Sequence, residues 1–304
     1  MKQKIIRRIS NGEMVDLSTL RKKELKRLHY EEEKFVAKKV LNMPPFSKER
    51  DEYMKRGYDL VSTIMPWYLP SANISYGANK STVKLVCDLI KCKKKEKLLY
   101  EAGVGTGFSC GYFVKVPNLK IKGCDMLLSD KIKYIMERYA NLSVDEENLY
   151  CNLRKLSNNS LDYFYADNVF EHLFPDEFPK ILHLLSCKMK RDGLIILIIP
   201  NRLVGPGDVS RFYLKQGKAA EGFHFMELSY REVIVKFKDY GIFPKYFVWR
   251  DKTGDVKYRM DPTGVMNDLK VCTEYVLSYL VKNPELKKKL FYNLALDCYV
   301  FEKR

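Results

Sequence analysis

The sequence predicts an α/β fold with a parallel sheet covered by helices on both faces. From Leu98 onward, short apolar runs alternate with amphipathic stretches at βαβ spacing, and a glycine-rich turn joins the first run to a helix. Over 304 residues, 46% hydrophobic and 30% charged composition is enough to bury a large core, which excludes disorder as the main state. No stretch approaches the roughly 18 consecutive apolar residues of a membrane span.

Leu17 to about Ile64 places Leu20, Leu25, Leu28, Phe35, Val36 and Val40 at mostly helical intervals. Pro44-Pro45 breaks this stretch into two helices, because proline lacks the amide donor and clashes with the preceding turn. Met65 to Gly77, MPWYLPSANISYG, reads as a loop; Ser81 to Ile90 resumes a helix and ends in the charge run Lys91 to Lys97. Strands are expected at Leu98 to Glu101, Leu119 to Cys124, Asn148 to Cys151, Leu161 to Ala166, Leu194 to Ile199 and Phe243 to Trp249. Helices are expected between them at Phe108 to Val114, Ser129 to Tyr139, Asp176 to Met189 and Tyr230 to Asp239. Arg202 to Glu227 is a connection long enough to suggest function. Asp251 to Val265 is a second polar loop, followed by helices at Val271 to Leu280 and Glu285 to Phe291 and a strand-like run, Leu294 to Phe301.

With 54 basic and 38 acidic residues the net charge is +16, which suits nucleic acid, an anionic membrane or an acidic substrate without choosing among them. Residues 1–56 hold 16 basic and 9 acidic side chains and residues 79–97 hold 7 and 2, so most of the excess lies outside the motif-bearing strands. The eight cysteines form no CxxC pair, and the basic N-terminus has no apolar segment after it. Both fit a soluble cytoplasmic protein with free thiols.

LLYEAGVGTGF, Leu98 to Phe108, carries the strongest local signal: a strand, Glu101, then Gly103, Gly105 and Gly107 opening a helix. Glycines there let backbone approach a ligand, and the helix N-terminus offers unpaired amides. The spacing is not G-x-G-x-x-G, and no GKS or GKT follows, so neither the dinucleotide fingerprint nor a P-loop is present.

EAGVGTG resembles motif I of class I S-adenosylmethionine-dependent methyltransferases, type-11 group, and further motifs follow in the family's order. The resemblance implies a Rossmann-like seven-stranded mixed sheet with the last strand, ALDCYVFEK, antiparallel. It implies an N-terminal helical lid over residues 1–77 and a methyltransferase domain over 78–304, with insertions at about 202–228 and 251–292. Its cofactor is S-adenosylmethionine, released as S-adenosylhomocysteine. Asp125, with Met126 beside it, matches the acid that bonds the ribose hydroxyls; Asn152 and Leu153 fall where the family contacts adenine. Glu101, the three glycines and Asn168 complete the expected cofactor set, and Asn168 to Leu173 match the V-x-E-H-L loop.

Methyl transfer from a sulfonium needs an aligned nucleophile and, for a hydroxyl acceptor, a proton acceptor. His224 in EGFHFMELS is expected to be the general base or to orient the substrate, because imidazole titrates near neutrality, with His172 as the alternative base. His29 is expected to be solvated and His183 to pack or lie at the surface. Trp67, Tyr68, Tyr76 and Arg202 are the expected pocket residues. No metal is expected: Glu171, His172 and His224 resemble part of the divalent-metal set of small-RNA 3′-end methyltransferases, but those have an acid at the position of Asn168. The expected acceptor is an O or N atom of a small-molecule or sugar-containing metabolite. An RNA methyltransferase and a non-catalytic cofactor-binding subunit are the alternatives; no NPPY-like tetrapeptide supports base methylation.

Overall fold

The computed structural model describes residues 4–65, 80–90 and 95–304. An N-terminal hairpin, β1 (Ile5–Arg7) and β2 (Met14–Asp16), precedes α1 (Lys22–Val40), α2 (Lys48–Ile64) and α3 (Lys80–Leu89). Then come β3 (Lys97–Ala102), α4 (Cys110–Phe113), β4 (Leu119–Asp125), α5 (Asp130–Arg138), β5 (Leu142–Glu146), α6 (Leu149–Arg154), β6 (Leu161–Asp167), α7 (Phe178–Lys188) and β7 (Met189–Ile198). The chain ends with α8 (Tyr230–Lys238), β8 (Ile242–Arg250), β9 (Val256–Met260), α9 (Val265–Leu280), α10 (Pro284–Asn293) and β10 (Cys298–Lys303).

The main sheet has the order β5-β4-β3-β6-β7-β10-β8-β9. Its first five strands are parallel, and β10 runs antiparallel to both β7 and β8. This is the doubly wound Rossmann-like order, in which chain direction across the sheet reverses between β3 and β6; a ligand crevice is expected beyond the carboxyl ends of those strands. Successive side chains alternate between faces, so Leu99 and Tyr163 join one buried cluster while Tyr100 and Phe164 join the other.

Three expectations need correction, and one element has no counterpart among them. The sheet has eight strands, not seven: β9 forms inside the stretch read as a polar loop and pairs antiparallel with β8. Asn148 to Cys151 is not a strand; Asn148 caps α6 by accepting from the Cys151 amide at 2.8 Å, and the third parallel strand lies just before it. The β1–β2 hairpin was overlooked although Asn11-Gly12 is a hairpin-turn dipeptide, and Gly12 has φ 76°. His29 is buried, 2.8 Å from Glu33, because one face of α1 packs inward. The described cysteines are all free, and no described helix is long and apolar enough to cross a membrane.

The N-terminal helices are tied to the start of α7 by buried charge. Arg50 on α2 donates to the Val40 carbonyl, to both oxygens of Asp176 at 3.0 Å and to Glu177 at 2.7 Å, with its guanidinium over the Phe174 ring. Arg50 is almost fully buried, and removing it strands the buried Glu177 carboxylate and a backbone carbonyl. The variant Arg50→Met is expected to lose about 3 kcal/mol in urea denaturation. A loss below about 0.5 kcal/mol, the range of ordinary surface substitutions, would contradict this anchoring role.

Candidate active site

The expected glycine turn stands at the end of β3. Gly103, Gly105 and Gly107 all have positive φ, between 53° and 73°, a region costly for residues with a Cβ. Their surroundings differ. A Cβ on Gly103 would strike Val169 and one on Gly107 would strike Ile132, so these two glycines serve close packing. Gly105 has nothing within 4 Å of that position, which leaves the turn open there.

Asp125, at the end of β4, accepts from the Gly105 amide at 2.7 Å and the Leu127 amide at 3.2 Å. Burial raises its pKa against these two hydrogen bonds. Glu101 lies behind the turn: it accepts from the Ser109 hydroxyl and, at 3.0 Å, from the Cys110 thiol, and burial pushes it up to about 7. It therefore braces the start of α4. Met126 packs with Tyr58 and Phe225 against apolar residues of α1 and α2.

At the end of β6, Asn168 adopts φ 55° and its amide donates to the Ile198 carbonyl. This turn feeds Glu171 and His172 into a cluster with His224 from the long connection. One ligand atom from each lies within 4.8 Å of the others, and the two imidazoles meet edge to face at 4.7 Å. His172 Nδ1 donates to the Phe223 carbonyl at 2.9 Å and His224 Nδ1 to Glu227 at 2.6 Å. Both Nε2 atoms remain for a ligand.

The cluster's electrostatics are divided. Burial, reinforced by the charge of His224, lowers His172 to about 3. Burial also opposes charge on His224, but the Glu227 hydrogen bond and the field of Glu171 outweigh it and raise His224 to about 9. Glu171 is pushed up to about 8 by burial, and neither of its oxygens has a hydrogen-bond partner.

The long connection earns its length here. Glu227 also accepts from the Gly207 amide at 2.6 Å, and a Cβ on Gly205 would strike its carboxylate. Gly222 has no room for a Cβ either, between Glu33 and Asp208. Glu33 on α1 accepts from the Phe223 amide at 2.8 Å.

Several expected residues stand elsewhere. Leu153 is fully buried in the core, and Asn152 spends its side chain on Tyr100, Asp145 and Glu147. Both belong to α6, and the end of the strand before it is Glu146. Arg202 is paired with Glu232 of α8 at 2.9 Å. Trp67, Tyr68 and Tyr76 lie outside the described residues. Among the described residues, Tyr58 of α2 lies against the cluster, edge-on to His172 and Phe223. Asp167 was also overlooked: one oxygen is buried without a partner, and burial raises it to about 7. Its sequence signal was an acid at the end of the strand beside the glycine turn.

No protein-family model matches the chain, and no curated protein matches its sequence. Solved structures with a similar course include Burkholderia thailandensis 1,6-didemethyltoxoflavin-N1-methyltransferase, at TM-score 0.49 and 11% identity over 71% of this chain and 89% of that one. Haemonchus contortus phosphoethanolamine N-methyltransferase 2 gives 0.46 and 12% over 83% of this chain and 57% of that one. Streptomyces coelicolor A3(2) geranyl diphosphate C-methyltransferase gives 0.45 and 15% over 88% of each. All three were crystallised with S-adenosylhomocysteine. Likeness of this depth assigns neither ligand nor acceptor, so the functional reading rests on this chain's residues.

In metal-free protein, the His224 ring is expected to titrate near pH 9 by NMR, while His172 stays neutral above about pH 5. Because the folded pKa of His224 exceeds its ordinary 6.5, the stability it contributes is complete below pH 6.5 and disappears as pH rises through about 9. His224→Gln should therefore lose less stability than the parent across that window. A His224 midpoint near 6.5 would refute the assigned environment.

Proposed function

We propose that the chain is an S-adenosylmethionine-dependent methyltransferase acting on an oxygen or nitrogen of a small-molecule or sugar-containing acceptor. The observation that carries this reading is the pairing of open Gly105 with Asp125 at the sheet's switch point. These residues fit the cofactor: the turn leaves room for close approach, and a carboxylate accepts two charge-assisted bonds from a vicinal diol. The order of the sequence motifs supports the same reading.

When bound, the cofactor supplies a methyl group on a sulfonium that is reactive in itself. The chain's residues then have to align the acceptor, exclude water and take a proton where the acceptor is a hydroxyl. Glu171, raised to about 8 with both oxygens unengaged, is mostly protonated at neutral pH and suits the role of proton acceptor as the pH nears 8. His224 is charged at that pH and suits donation from Nε2 to an acceptor oxygen, which favours the orienting half of its expected role. Neutral His172 is held by the Phe223 carbonyl, and Tyr58 closes one side.

Titration calorimetry with S-adenosylhomocysteine tests the first part. Asp125→Ala and Gly105→Val should each weaken binding at least about tenfold, about 1.4 kcal/mol. Glu171→Gln and His224→Ala should bind normally and lose methyl transfer in an acceptor screen. Unaltered binding by Asp125→Ala would remove the proposed ribose contact.

A second reading is favoured by the three convergent ligand atoms and the orphaned Glu171 oxygens: Glu171, His172 and His224 would hold a divalent cation. Its Nδ1 partners, the Phe223 carbonyl and Glu227, are of the kind that orient metal-binding imidazoles. Such an ion would polarise an acceptor hydroxyl and ease its ionisation. Cobalt(II) added to chelator-treated protein should then give a visible d–d spectrum that Glu171→Gln abolishes. No spectrum, with activity surviving chelation, leaves the proton-transfer reading.

A further inference from the structure

Asp167 ends β6 where the parallel strands give way to their loops. β6 runs parallel to β3 with Glu101 opposite Tyr165 and Ala102 opposite Ala166, so Asp167 stands level with Gly103, the first residue of the glycine turn. Partners in a ladder and alternate residues along a strand share a face of the sheet. Glu101, Tyr165 and Asp167 therefore lie on one side, and Asp167 is the next polar side chain beyond Glu101 toward the crevice.

Its carboxylate is half committed. Oδ2 accepts from the Tyr165 hydroxyl at 3.0 Å, while Oδ1 is buried with no hydrogen-bond partner. Glu101 accepts from a hydroxyl and a thiol, those of Ser109 and Cys110, and neither brings positive charge. Arg250 lies near enough for its field to reach Asp167, yet its hydrogen bonds go to Asp297 and to the Tyr292 carbonyl. Among the described residues no cation bonds either acid, and burial pushes both up to about 7. A buried carboxylate without a counter-charge is costly, and a cationic group on a ligand would offset that cost.

We infer that Asp167 receives, on its free oxygen, the α-ammonium group of the cofactor's methionine portion. The inference rests on the cofactor reading of Gly105 and Asp125. The sheet order β4-β3-β6 puts Asp125 and Asp167 at strand ends on opposite sides of the turn, two strand spacings or about 10 Å apart. A ligand whose ribose bonds Asp125 and whose chain crosses the open turn at Gly105 brings its amino-acid end to Asp167. That end of S-adenosylmethionine carries an ammonium with three N–H donors, and a bond from it to a carboxylate is charge-assisted. Asp167 thereby favours a ligand with the amino-acid part over the bare nucleoside.

Titration calorimetry on the full chain with two ligands tests this. S-adenosylhomocysteine carries the ammonium, whereas 5′-methylthioadenosine keeps the nucleoside and the thioether but lacks the amino-acid part. Asp167→Asn should weaken S-adenosylhomocysteine at least about tenfold and 5′-methylthioadenosine less than about twofold. In the parent, S-adenosylhomocysteine affinity should rise roughly tenfold from about pH 6 to about pH 8 as Asp167 ionises, and most of that rise should disappear in Asp167→Asn. Glu101 of β3, Tyr165 of β6, Glu171 past the turn, Asp297 before β10 and Arg250 of β8 all face Asp167 electrostatically and all remain in the variant, so the difference reports Asp167. Equal loss of both ligands marks a structural role and overturns the inference, as does unchanged S-adenosylhomocysteine binding; either result leaves the cofactor reading standing. A parent that binds neither ligand overturns that reading and the inference with it. Should Asp167→Asn fold poorly, the parent decides: an S-adenosylhomocysteine affinity that is flat over this pH range, or that rises equally for both ligands, overturns the inference.

Discussion

The peptide groups on either side of Phe223 join the three parts of this protein that make the site. Glu33 of α1 takes the Phe223 amide proton, and the Phe223 carbonyl takes the proton on His172 Nδ1. Helix, connection and strand-end loop are thereby set in one register. The bonds matter because they are buried, where an unmade hydrogen bond costs about 1–3 kcal/mol. They also leave His172 only one free nitrogen.

The same economy extends outward. Glu33 is itself bonded to His29, and Asp208 takes the Gly222 amide at 2.9 Å. Glu32, next along α1, is fully buried and accepts from the Ile9 and Ser10 amides and from Arg8, so it fastens the N-terminal hairpin to the helix. Adjacent carboxylates on one helix thus bind two different segments. Electrostatically, the cluster concentrates two acids and two imidazoles where water is scarce. One imidazole holds its proton against burial because carboxylates surround it, and the other remains neutral because it is buried, beside a charged neighbour.

Much of this was readable in the sequence. The glycine turn was legible because φ > 0 selects glycine so strongly, and Asp125 because it matches the acid of the family that the sequence resembles. Pro44-Pro45 marked the break between α1 and α2. The third strand was misplaced because LYCNL is apolar enough for either element, and a capping asparagine decided for helix. β9 escaped because an edge strand exposed on one side need carry no apolar run: VKYRM has alternation but little hydrophobicity.

Composition and local pattern therefore determined the layered α/β class and the glycine turn, because these depend on backbone sterics within a few residues. Only the tertiary structure decided that Glu33 fixes the Phe223 peptide whose carbonyl holds His172, that Tyr58 lies against that ring, and that His224 keeps its proton. It also decided that α9 buries its polar face, since Glu274 found amides at the start of α8 to satisfy. Such outcomes depend on which groups meet across 40 to 190 residues of chain, and on how much water those meetings exclude.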